Sequence, residues 1–247
     1  MSTRIDFLDG YRGFALLNML LFHWYYDVTE IFNRTLPWFP VWAAYVWQQF
    51  IVLSFILVSG AVSNYAQHPQ RRGVILCLWG GALTVVTHFF MPSELILFGV
   101  LSFLGLAMFL TGVLPVITRD KEGKKRQALT MLLAVLSLLG FALTQGLSRG
   151  YLGLYGHSLA ALNLKLGTSL VYFILGLPGQ PYISADYVPV LPHIFAFWLG
   201  RFAWLLGGKA FKTVKLPPAL NFVGAHTLFI YLVHQPLIYG LCLLFLG

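Results

Sequence analysis

The sequence predicts an all-α fold, a polytopic transmembrane helix bundle of seven or eight spans that occupies residues 1–247 as a single membrane domain. Three observations carry this expectation. Of the 247 residues, 58% are hydrophobic and only 10% charged, against about 45–50% and about 25% in soluble domains. The apolar segments run from residue 13 to the C-terminus and leave no stretch for a separate soluble domain. At about 20 residues per crossing, seven or eight helices with short loops use up the chain.

The first span is expected from about Gly13 to Ile31. It does not read as a cleavable signal peptide: it is too long, contains His23 and has no small-residue cleavage site after it. After the turn Asn33-Arg-Thr-Leu-Pro-Trp-Phe-Pro40, a second span covers Val41–Tyr65, where Ser59-Gly60 allows close helix approach. The basic loop His68-Pro-Gln-Arg-Arg72 leads to a third span, Gly73–Phe90, and a fourth, Leu95–Ile117. Arg119-Asp-Lys-Glu-Gly-Lys-Lys-Arg126 is the most charged segment and precedes a fifth span, Ala128–Gln145. Leu162–Leu177 is apolar but short, holds Lys165 and ends in Pro178-Gly-Gln-Pro181. A further span begins near Val190 and stops before Lys209, and the last runs from Leu220 to the C-terminus.

Charge suggests the orientation. A cytoplasmic N-terminus also puts Arg71-Arg72 and the 119–126 cluster inside, as the positive-inside bias requires. If Leu162–Leu177 crossed fully, Lys209, Lys212 and Lys215 would lie outside; a re-entrant or interfacial segment returns them to the cytoplasm. Seven crossings plus a re-entrant piece is therefore preferred to eight. The same loop bias accounts for the net charge of +8 without a nucleic-acid partner. Cys77 and Cys242 lie in apolar spans away from any ligand spacing, so neither a disulfide nor a metal site is expected. The chain has no visible internal repeat of the kind common in secondary transporters, and no phosphate loop, zinc-protease motif or nucleophile elbow.

The first span carries the chemistry. Ionisable side chains in bilayer hydrocarbon cost roughly 2.5–3.5 kcal/mol each on insertion scales, yet Arg12 and His23 sit here with Asp9, Asp27 and Glu30. At about 100° and 1.5 Å per residue, all five fall within about 60° of arc, with Arg12 and His23 about 16 Å apart along the axis. Leu16 and Met19 lie between them on a stripe facing protein or a watery cavity. His23 and Asp27 are spaced i,i+4, where a carboxylate can hold an imidazole N–H. The alternative is an interhelical polar clasp. Further along, Asp186 stands in Ser184-Ala-Asp-Tyr-Val-Pro-Val-Leu-Pro192, where it either makes a turn or shapes an entrance. Tyr231, His234 and Gln235 precede Pro236 in the last span. Tyr231 and His234 share a face; His234 and Gln235 either serve a kink at Pro236 or line the cavity of His23. His68, His88, His157 and His193 read as interfacial.

These residues carry a family resemblance. Asp9-Gly-Tyr-Arg-Gly-Phe-Ala15, ten residues between Arg12 and His23, and then Asp27 resemble the opening of the bacterial relatives of heparan-α-glucosaminide N-acetyltransferase. Those relatives are grouped with the transmembrane acyltransferases. The Asp186 loop is similar to a family loop on the non-cytoplasmic side. Gly224-Ala-His-Thr-Leu-Phe-Ile-Tyr-Leu-Val-His-Gln-Pro236 is similar to a family pattern with Ser where Thr227 stands, and Ser102 replaces a His common in relatives.

The resemblance implies an acyl-CoA-dependent N- or O-acyltransferase in a bacterial cytoplasmic membrane. Acetyl-CoA would be a co-substrate, with no permanently bound cofactor, and a cell-envelope glycan or amino sugar the acceptor. On this reading Arg12 binds CoA phosphate. His23 is a general base or acyl carrier, oriented by Asp27 or Glu30. A rival class is a proton-coupled transporter or channel with His23 and Asp27 as relay; a third is a non-catalytic assembly factor.

Overall fold

The computed structural model describes residues 5–34, 40–113, 123–154, 156–164 and 166–246. In chain order the helices are α1 (Asp6–Tyr26), α2 (Val41–Ser63), α3 (Pro69–Phe90), α4 (Val100–Val113), α5 (Lys124–Thr144), α6 (Leu170–Leu175), α7 (Val190–Gly207), α8 (Pro218–Ala225) and α9 (Thr227–Leu246). A two-stranded antiparallel hairpin, β1 (Tyr151–Leu154) and β2 (His157–Ala161), follows α5. The protein is 74% helical. Among the described residues, five helices are long and apolar enough to cross a membrane: α2, α3, α5 extended to Arg149, α7 extended to Phe211, and α9. It is a multi-pass integral membrane protein.

The chain forms two compact units, Met1–Val58 with Gly207–Gly247, and Ser59–Leu206. In the first, α1 has 21 residues, a rise of about 31 Å and enough to span, although its ionisable residues keep it out of the apolar five. Its acidic Asp6 and Asp9 lie in the first turn, where the helix dipole favours them. Ala15, Leu16 and Met19 form an apolar core with Ile51 and Phe55 of α2, flanked by Val223, Ile230 and Tyr231. The expected start at Gly13 is too late by two turns, because ionisable residues continue the helix as readily as apolar ones. At its other end α1 widens into a π-helical turn, Asp27–Ile31, closed by the Phe32 amide on the Asp27 carbonyl at 2.9 Å. The Thr29 hydroxyl also bonds back to the Tyr25 carbonyl.

The last expected span is two helices. The chain leaves helical geometry at His226 (φ −107°, ψ 19°), and Pro236, the residue at which a kink is expected, lies inside α9. The Gly224 carbonyl explains the break. It accepts from Thr227 Oγ1 at 2.7 Å and from Arg12 Nη2 at 2.9 Å, occupying both of its lone pairs outside the helical ladder.

In the second unit, α3 packs on α4 through small residues, Gly73, Cys77 and Gly80 against Ser102 and Gly105. The fourth span starts at Val100, five residues later than expected, and its expected end at Ile117 lies outside the described residues. So do Arg119 to Glu122 of the charged loop, and Lys165. The stretch Leu162–Leu177 holds only the six-residue α6, a rise of about 9 Å against a hydrocarbon core of about 30 Å. Gly176, at φ 83°, and Pro178 stop the helix. Arg201, buried in α7, donates to Ser63 Oγ at 2.8 Å, and its own carbonyl accepts from Asn64.

Candidate active site

Within the first unit, two polar clusters stand on one side of α1. At one end, the His23 ring meets the ring of His234 on α9, centroid to centroid 4.7 Å and inclined at 62°. His234 is buried, and its Nδ1 lies 2.5 Å from the Tyr231 carbonyl. A carbonyl only accepts, so Nδ1 carries the hydrogen and Nε2 is the basic atom of the neutral ring. The next residue, Gln235, donates from Nε2 to Oδ1 of Asp27 at 2.8 Å. Asp27 has no solvent exposure at all. Consecutive residues of α9 thus engage His23 and Asp27, which are one helical turn apart.

The expected His23–Asp27 bond is not formed: among the described residues none joins them, and the Gln235 amide takes the carboxylate oxygen. Glu30 is exposed, because the wider π turn rotates it off the interior face. His23 itself is partly buried and has Phe22 edge-on at 6.2 Å on its own helix.

At the other end, Arg12 Nη2 bonds Asp9 Oδ1 at 2.5 Å and the Gly224 carbonyl at 2.9 Å. The approach of α1 to α8 is possible only through glycine. A Cβ on Gly13 would strike the Leu220 carbonyl, and one on Gly224 the Asp9 carbonyl. Asn221 Nδ2 donates to the Leu216 carbonyl, while its Oδ1 is buried with no hydrogen-bond partner among the described residues. Between the clusters the stripe is closed by packing: Leu16 is fully buried and Met19 nearly so. The axial distance of about 16 Å is crossed by apolar side chains, so between its two polar ends the stripe faces protein, the first of the two surroundings expected for it.

Residues 4–236 match the family described as heparan-alpha-glucosaminide N-acetyltransferase, catalytic. The chain belongs to this family. No curated protein and no solved structure matches it. As a heparan-alpha-glucosaminide N-acetyltransferase catalytic-family member it is a membrane acetyltransferase. All the residues of both clusters lie inside the matched range.

Asp186 belongs to the second unit. Its Oδ2 accepts from the Val100 amide at 3.1 Å, and the loop is laced to residues 95–98 by Leu97 N to Ser184 Oγ, Ala185 N to Leu95 O and Val188 N to Phe98 O. Asp186 thereby caps α4, the role the turn reading gave it. Beside it Tyr187 stacks on Phe173 at 4.2 Å and donates to the Phe173 carbonyl; burial pushes its hydroxyl up to about 12. In this family member Ser102, in the second unit, sits against Gly80. The Arg12–Gly224 tie escaped sequence reasoning, its signal being the glycines of Asp9-Gly-Tyr-Arg-Gly13. The His23–His234 contact agrees with one of the two readings of His234 and Gln235, the one that set them beside His23.

Proposed function

We propose that this protein transfers the acetyl group of cytoplasmic acetyl-CoA to an amino-sugar acceptor of the cell envelope, with its N-terminus cytoplasmic in a bacterial inner membrane. The His23–His234 ring contact beside the buried Asp27–Gln235 pair carries the reading. In the proposed step the acceptor nitrogen attacks the thioester carbonyl while His23 takes its proton. The tetrahedral intermediate collapses, the C–S bond breaks, and the imidazolium returns that proton to the departing CoA thiolate. His234, with Nδ1 tied to Tyr231, presents a basic nitrogen on the same side, and the Asp27 charge stabilises the imidazolium. A guanidinium has five donors, so Arg12 can hold Asp9 and Gly224 through Nη2 and still meet a donor phosphate.

The test is detergent-purified protein with radiolabelled acetyl-CoA and glucosamine, reading acetyl-sugar and released thiol. The wild type should yield both in equal amounts. His23→Gln should stay monodisperse, still bind acetyl-CoA and lose transfer by about 10²–10⁴-fold. Near-normal transfer by that variant would make His23 a structural clasp.

A further inference from the structure

The segment joining α5 to α6 bears an exposed apolar surface that the transfer chemistry does not use. From Gly150 to Leu164 there is no charged residue, although Arg149 ends the preceding span. The hairpin is not a free loop. The Gly146 amide at the end of α5 donates to the Gly153 carbonyl at 3.1 Å, the Tyr151 amide returns to the Gly146 carbonyl, and Tyr151 Oη accepts from the Gly156 amide at 2.9 Å. The hairpin is therefore fixed at the depth where a spanning helix ends.

Its register holds a bulge. Leu152 pairs with Ala160 and Gly153 with Ser158, so Leu159 is the extra residue, re-aimed by the bulge and 74% exposed. Leu154 and Leu164 are exposed as well, as is Ile183 (86%) in the next connection, between α6 and α7. This surface continues from the outward face of α5, where Leu132, Val135, Leu136, Leu139 and Leu143 are exposed on a span that meets lipid. An uncharged, leucine-bearing, tyrosine-containing element held at a helix end has the composition of the membrane interface.

We propose that the 150–164 hairpin segment lies in the headgroup–acyl boundary of the leaflet at which α5 ends, with the bulged Leu159 as its apolar anchor. The occupant of this surface is lipid. The hairpin shields its edge amides within the interface and so ties the end of α5 to a fixed membrane depth.

The test uses the full chain in lipid nanodiscs, with Cys77→Ala and Cys242→Ala as background and a nitroxide on Leu159→Cys. Controls are Leu136→Cys on the lipid face of α5 and Gly123→Cys at its other end, where nothing lies within 4 Å of an added Cβ. Collisions with oxygen should exceed those with a soluble nickel chelate at 159, as at 136 and opposite to 123. Chelate-dominated relaxation at 159 would mean that the hairpin projects into water. Protection from both reagents would mean that protein covers it. Either result overturns the proposal.

Discussion

Arg12 is committed to the fold before it meets any substrate. One nitrogen serves both Asp9 and the carbonyl that breaks α8 from α9. Arg12→Ala should therefore act twice. It should lower the melting temperature by loosening α1 from α8, and weaken acetyl-CoA more than a phosphate-free acetyl thioester, read by competition binding. Equal weakening of both donors would leave Arg12 only the structural role. Gln235 makes the sharper prediction at this scale. Its amide is a hydrogen-bond donor to a carboxylate with no exposure, and hydrogen bonds to charged groups are worth about 1.5–3 kcal/mol. Gln235→Leu should lose about that much in a thermal or denaturant melt, and Gln235→Glu more, since it sets a second carboxylate against the first. Retention of wild-type stability by Gln235→Glu would mean that Asp27 is held protonated. The polar residues of α1 were legible in the sequence because charge in an apolar run is costly wherever it occurs. Their partners were not, because Gln235 and Asp27 are 208 residues apart and no local period links them.

At the scale of elements, the helices were readable and their interruptions were not. Length and apolarity define α2, α3, α5, α7 and α9 directly. The break at His226 depends on a hydrogen bond from Arg12, far away in sequence, and the π turn at Asp27 and the hairpin after α5 are closed by local bonds that leave no mark on the apolar pattern. Pro236, a strong local signal, lies inside α9 rather than at either of its ends. Gly13 and Gly224 turn this into a measurement. Adding a methyl group at either position forces α1 and α8 apart, and overpacking of this kind costs about 1–3 kcal/mol. Gly13→Ala and Gly224→Ala should each lower the melting temperature and impair acetyl transfer together, because the two helices carry Arg12 and its acceptor. Gly240, in α9 with open space around it, is the control: Gly240→Ala should be neutral or slightly stabilising, since alanine is favoured over glycine in a helix by roughly 0.5–1 kcal/mol. Equal loss at all three positions would argue against a close-packed seam.

For the whole molecule, the family and the helical membrane architecture were both legible, the first from a seven-residue motif and the second from composition. The number of crossings was not, since it turns on segments such as α6 whose length is set by turn residues rather than hydropathy. The orientation of the chain decides which side supplies acetyl-CoA, and the charge between α4 and α5 makes it testable. Residues 119–126 contain Arg119, Lys121, Lys124, Lys125 and Arg126, five of the chain's sixteen basic residues, and short basic loops are retained on the cytoplasmic side. With Cys77 and Cys242 removed, a cysteine at Gly123 should resist a membrane-impermeant maleimide in intact cells and react once the membrane is permeabilised. The Lys209–Lys215 loop should behave the same way if α6 does not cross, so Thr213→Cys gives an independent reading of parity. Protection at both sites means an even number of crossings between them, α5 and α7, as expected from charge. Labelling at Gly123 in intact cells would invert the protein and place the entry of acetyl-CoA on the opposite face, whereas labelling at Thr213 alone would require one further crossing between α5 and α8.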